Sequence, residues 1–185
     1  MGKQREQLLE ALMDHIATHG LGDSSMRDLA TAVGSSHRMI NYHFGGREGL
    51  IAAIVERMEQ NQRDLLSALA VDAPGPAELV REQWRVLTDP SVTPFVRLFF
   101  EVVALALAGQ PGTEGFLERL TDPWIEAGES AAAHIGAGSD AVDIRLGIAL
   151  SRGLLLDAVA SGDAGPPTAA LERYLEMWTS FTGGK

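Results

Sequence analysis

The chain has 185 residues, is 45% hydrophobic, contains no cysteine and carries a formal net charge of −10. That apolar content is enough for a packed core and excludes a disordered chain, and the lack of cysteine excludes a disulfide framework or a thiolate metal site. No apolar run approaches the ~20 residues that span a bilayer, and none follows a basic start, so a soluble, intracellular protein of the cytoplasm is expected.

The first helix is predicted from about Lys3 to His19, with Leu8, Leu9, Leu12, Met13 and Ile16 on its buried side and Gly20 and Gly22 ending it. Ser24 or Ser25 then caps a second helix, in which Leu29, Ala30 and Val33 recur at three- and four-residue spacing. Gly34 stands where a left-handed C-terminal residue is expected, and Ser35-Ser36 can cap the next helix. That third helix is short and polar, carrying His37, Arg38, Asn41, Tyr42 and His43, with Met39, Ile40 and Phe44 as its apolar contacts. A capped helix, a glycine turn and a polar second helix make a helix-turn-helix, a motif whose second helix enters a DNA major groove.

An overall charge of −10 opposes DNA binding, but its distribution does not. Residues 1–58 hold six Lys and Arg against seven Asp and Glu, so only −1 of the −10 falls there. Affinity for DNA depends on the local surface that meets phosphate, and Lys3, Arg5, Arg38 and Arg47 can all face a duplex.

A fourth helix is predicted from Arg47 to about Leu69, and Ala73-Pro74-Gly75-Pro76 breaks it at the clearest boundary in the chain. A fifth follows over 76–89. The stretch 95–108 is apolar nearly all round apart from Arg97 and Glu101, which predicts a helix at the centre of a bundle. Asp122-Pro123 reads as a cap followed by proline at the first helical position, starting a helix to about His134. Two last helices are expected over 140–161 and 167–182, and strand-like alternation is absent, so the fold class is all-α.

The string Arg27-Asp28-Leu29-Ala30, Val33-Gly34-Ser35-Ser36 and Ile40-Asn41-Tyr42-His43-Phe44-Gly45-Gly46-Arg47-Glu48-Gly49-Leu50 is similar, in order, spacing and residue type, to the TetR family of bacterial transcriptional regulators. Gly153 to Asp163 resembles the penultimate helix of many such proteins, so the resemblance spans the architecture but is loose outside the head. It implies a three-helix DNA-binding domain over 1–46, joined by the fourth helix to a helical-bundle ligand-binding and dimerisation domain over 47–185. Two positions depart from the family pattern. Asn41 stands where an aromatic is usual, and Arg38 where a small residue is frequent.

Carried over by position, the resemblance makes His37, Arg38 and Asn41 the base readers, with Arg38 suited to guanine and Asn41 to adenine. Tyr42, Ser25, Ser36 and Arg47 would hold phosphates, and Lys3 and Arg5 would act as a short arm. His43 either joins the phosphate contacts or is a partly buried histidine bonded to backbone. The resemblance also implies an effector pocket, for which Met58, Gln62, Trp84, Phe99, Phe100, Glu101, Val103, Leu107 and Trp124 are candidates, Glu101 being the leading polar one. It implies a homodimer through the last two helices, with Ile144, Ile148, Leu155, Leu171, Tyr174, Leu175, Trp178 and Phe181 as interface candidates and Gly147 and Gly153 permitting close approach.

The expected function is a ligand-responsive repressor, released from a near-palindromic operator by a small apolar or amphipathic effector. The alternative is an architectural DNA-binding dimer without an effector. No enzyme is expected, since no phosphate loop follows a strand and neither HExxH nor a serine elbow is present. Glu126, Glu129 and His134 lack the paired Glu-x-x-His pattern of a bundle metal site, so no metal or cofactor is expected.

Overall fold

The structure is a computed structural model that describes residues 2–19, 24–110, 113–138 and 140–182; the side chains of Phe181 and Thr182 lie outside it, as do Gly20, Gly22 and Gly112. Among the described residues there is no strand. The helices are α1 (Gly2–His19), α2 (Met26–Ala32), α3 (His37–Phe44), α4 (Arg47–Leu69), α5 (Pro76–Leu87), α6 (Thr93–Leu107), α7 (Asp122–His134), α8 (Ala141–Ser161) and α9 (Gly165–Thr182), with a 3-10 turn at Leu117–Arg119. No helix among them is long and apolar enough to cross a membrane.

Two compact units emerge: Met1–Gln60 with Pro90–Leu117, and Asn61–Asp89 with Glu118–Lys185. The dividing point lies within α4, beyond residue 46. The first unit buries Leu9, Leu12 and Ile16 of α1, Leu29 and Ala30 of α2, Ile40 and Phe44 of α3, and Leu50, Ile51, Ile54 and Val55 of α4. Each set follows the helical repeat of its own segment, which is why the periodicity of the sequence located it. Arg57 of α4 pairs with Glu6 and stands 3.9 Å from Glu10, tying α4 to α1. Helix α6 packs on α1 in the same unit.

Helix α6 is not enclosed on all sides, as its composition predicts. It buries Val96, Leu98, Phe99 and Val102, whereas Arg97, Glu101, Ala104 and Leu107 are exposed, Leu107 at 73%. An apolar sequence permits burial of any face, and the neighbours cover only one.

The second unit has a core of Leu66, Ala70, Leu79 and Ala131, with Leu69, Ala73, Trp124, Ala127 and Ile135 packed on it. Its helices are cross-tied by polar contacts. The Trp84 indole N–H donates to Thr168 Oγ1 at 2.9 Å, and Arg81 Nε donates to Glu172 at 2.8 Å, both joining α5 to α9. Arg152 of α8 donates to the carbonyl of Leu120 just before α7. Gly128 of α7 lets α8 approach closely, since a Cβ there would lie 2.7 Å from Ile144 Cγ2.

Three boundaries differ from the sequence expectation for identifiable reasons. Thr121, not Asp122, is the N-cap residue of α7, because its carbonyl accepts from both Trp124 N and Ile125 N at 3.0 and 3.1 Å. Helix α9 begins at Gly165 and takes both prolines into its first turn, where a missing N–H costs nothing; Thr168 N already bonds Ala164 O at 2.9 Å. Helix α5 stops at Leu87, where Thr88 folds back to donate its hydroxyl to Trp84 O at 2.9 Å.

Candidate nucleic-acid interface

Helix α2 is started by a capping box. Ser25 Oγ accepts from Asp28 N at 3.3 Å, while Asp28 Oδ2 accepts from Ser25 N at 2.9 Å and from Ser25 Oγ–H at 2.6 Å. The hydroxyl bond from Ser25, then the backbone bond from Ser25, lower the Asp28 pKa below the usual carboxylate value. Asp28 was not among the sequence candidates; the Ser-x-x-acid spacing ahead of an apolar run is the signal that finds it.

Gly34 turns the chain with φ of 65°, and Ser36 caps α3 by accepting from Met39 N at 3.2 Å. Ser25 and Ser36 therefore use their side-chain oxygens on helix starts. Ile40 and Phe44 turn inward, which leaves His37, Arg38, Asn41 and Tyr42 exposed along the other side, Tyr42 at 64%. Four of the predicted residues are thus brought onto one open polar face. Within it, Asn41 Nδ2 stands 3.3 Å from His37 Nε2.

The α3–α4 turn depends on glycine. Gly45 and Gly46 have φ of 77° and 144°, in the left-handed range that side chains resist. Gly49 has no room for a side chain, because a Cβ there would lie 2.0 Å from the Phe44 carbonyl oxygen. Periodicity carries no trace of that requirement.

The other candidates have local contacts of their own. Lys3 and Arg5 belong to α1, which starts at Gly2, so they are helical side chains and not a free arm. Arg5 is held on the head, its guanidinium 5.1 Å above the Phe44 ring and 3.4 Å from Glu6. Arg47 is half-buried and donates to the Ser24 carbonyl at 2.6 Å, linking the start of α4 to the approach to α2. His43 is half-buried, with Nε2 shut away from solvent and lacking a hydrogen-bond partner.

The effector candidates fall in both units. Met58 and Phe99 are buried and Phe100 and Val103 half-buried in the first, where the Phe99 and Phe100 rings meet edge-on at 5.1 Å. Glu101 is exposed, which settles how an apolar helix tolerates it: the carboxylate stays in water. In the second unit Trp84 is buried with its N–H spent on Thr168, while Trp124 lies 5.9 Å from the Arg63 guanidinium. Gln62 is half-buried with its Oε1 enclosed and unpartnered.

The expected interface residues divide by their burial within the single chain. Leu155, Leu171 and Leu175 are 8%, 1% and 1% exposed, so they fill the core of their own subunit. Ile144 packs against Gly128, and Ile148, Tyr174 and Trp178 are half-buried; Phe181 lies outside the described side chains. The apolar side chains that α8 turns outward are Val142, Leu146 and Leu156. With exposed Ala149, Gly153 and Ala160 they form a row stepping alternately by four and three residues, the spacing of a helix-packing seam.

Residues 8–54 match the model of the bacterial regulatory proteins of the tetR family. The chain is 33% identical over 75 residues to the HTH-type transcriptional regulator BetI of Pseudomonas fluorescens, a match spanning 38% of each chain. A TetR-family transcriptional regulator from Pectobacterium atrosepticum shares the fold across 98% of this chain and 95% of its own, with a TM-score of 0.72 at 20% identity. So does Thermus thermophilus FadR, a TetR-family repressor solved with lauroyl-CoA, with a TM-score of 0.63 at 18% identity and 92% of each chain covered. Residues 8–54 thus match the head of the tetR family, and the chain as a whole has the fold of solved TetR-family regulators.

Proposed function

We propose that the protein is a homodimeric transcriptional repressor that binds a near-palindromic operator in the cytoplasm and is released from it by a small amphipathic effector. The observation that carries the reading is the open row of His37, Arg38, Asn41 and Tyr42 on α3, held by two capped helix starts and a glycine-dependent turn. Arg38 and Asn41 have the donors and acceptors to read base edges, and Tyr42 and Arg47 the donors to hold phosphate. Its work is binding, not catalysis.

Two copies are needed to read both halves of a palindrome, with heads roughly 34–36 Å apart. The outward row of Val142, Leu146, Ala149, Gly153, Leu156 and Ala160 on α8 is the surface through which they associate, its small residues allowing close helix approach. The enclosed, unpartnered Gln62 Oε1 supports a ligand that donates a hydrogen bond, because leaving a buried acceptor unmade costs about 1–3 kcal/mol. The acyl-CoA held by FadR of the same fold supports an amphipathic one. Both compact units include part of α4, which gives an effector a covalent route to the head. To cause release the ligand must favour the state that does not bind DNA, since equal affinity for both states shifts nothing.

The test is binding of the purified protein to the DNA flanking its own gene across a salt series, beside an Arg38→Ala/Tyr42→Ala variant. Specific, salt-sensitive binding that the variant loses is expected, and a small molecule then weakens it. Equal binding by wild type and variant sinks the assignment of α3.

A further inference from the structure

On the open face of α3, His37 and Asn41 stand one helical turn apart with Nε2 and Nδ2 separated by 3.3 Å. An amide nitrogen has only hydrogens to offer, so with Asn41 Nδ2 as the donor His37 accepts at Nε2 in the tautomer whose hydrogen is on Nδ1. The contact uses one of the two amide hydrogens of Asn41 and sets the plane of the amide. What remains is one N–H and the Oδ1 acceptor, the pair complementary to N7 and N6–H of adenine in the major groove. Both residues are exposed.

We infer that His37 is a positioning residue that presets Asn41 to read adenine, an inference that rests on the DNA-binding reading of the head. Without His37 the amide turns freely about its last torsion and offers either edge, so discrimination between bases falls further than affinity does. Arg38 precedes Asn41 by three residues, ~4.5 Å along the helix axis, against a base-pair rise of ~3.4 Å. The adenine suited to Asn41 and the guanine suited to Arg38 are therefore sought at separate base pairs of the half-site.

Operator half-sites are selected from a random duplex pool with the full chain. Binding to the selected site and to each single-base replacement is then measured for wild type, His37→Leu, His37→Gln, Asn41→Ala and the His37→Leu/Asn41→Ala double variant. Wild type is expected to prefer adenine at one position by on the order of tenfold. Asn41→Ala abolishes that preference, and His37→Leu removes most of it while sparing the guanine preference. His37→Gln restores it, because a glutamine Oε1 can accept from Asn41 at the same spacing. The double variant is no worse than Asn41→Ala alone. The inference is overturned if His37→Leu keeps the adenine preference, if it changes preference at another position, or if His37→Gln fails to rescue. Selection of no sequence by wild type refutes the DNA-binding reading and takes this inference with it.

Discussion

Gly49 sits in the first turn of α4, and replacing it by alanine sets two effects of opposite sign against each other. Helix propensity alone favours alanine by about 1 kcal/mol. The structure opposes it, because the new Cβ would lie 2.0 Å from the Phe44 carbonyl oxygen and 3.2 Å from its carbon. The obstacle is backbone, not the end of a flexible side chain. Relief requires the last turn of α3 to move by about 1 Å or more, and overpacking of that kind costs about 1–3 kcal/mol. Because an axial shift of α3 also carries Arg38, Asn41 and Tyr42, the expected outcome is a net loss of up to about 2 kcal/mol together with weakened DNA binding. For a chain of this size the loss corresponds to a fall in Tm of about 4–8 °C at its upper end. Circular dichroism melts and operator titrations on Gly49→Ala measure both. A Tm that rises, as propensity alone demands, with operator affinity intact refutes the reasoning.

Two further outcomes follow from the packing. Asp28 has its carboxyl pKa held below its value in the unfolded chain by Ser25, so its contribution is present above pH 3.8 and disappears as pH falls through the lower folded value. Asp28→Asn should therefore flatten the acid limb of the pH–stability curve, and an unchanged limb counts against the capping box. On α8, Leu156→Glu should leave the subunit folded but shift the protein from dimer to monomer in light scattering. Leu171→Ala should instead cost about 2–5 kcal/mol in denaturant melts, as a truncated core leucine does. Reversal of those two phenotypes would return the interface to the residues that the sequence alone favours.

Much of the head is legible in the amino-acid order because its determinants are local. Ser25, Gly34, Ser36 and the inward Ile40 and Phe44 act within one or two turns of where they stand, and such effects survive in a linear string. Caps, turns and the periodic apolar residues are therefore determined by sequence, as are the helical class and the span of α4 from Arg47 to Leu69.

Facing is another matter. Helix α8 carries apolar residues on more than one side, and Leu155 and Leu156 differ by one position yet are 8% and 50% exposed. Both belong to valid helical repeats, so periodicity cannot choose between them; the choice is made by α7 and α9, which cover one side and leave the other. The same holds for Trp84, whose indole N–H finds Thr168 across a gap of 84 residues, and for Gly49, whose bareness matters only because the Phe44 carbonyl arrives beside it. Sequence determined which segments are helical and which residues could be buried. Only the tertiary structure decided which of them are, because burial depends on partners that arrive from elsewhere in the chain.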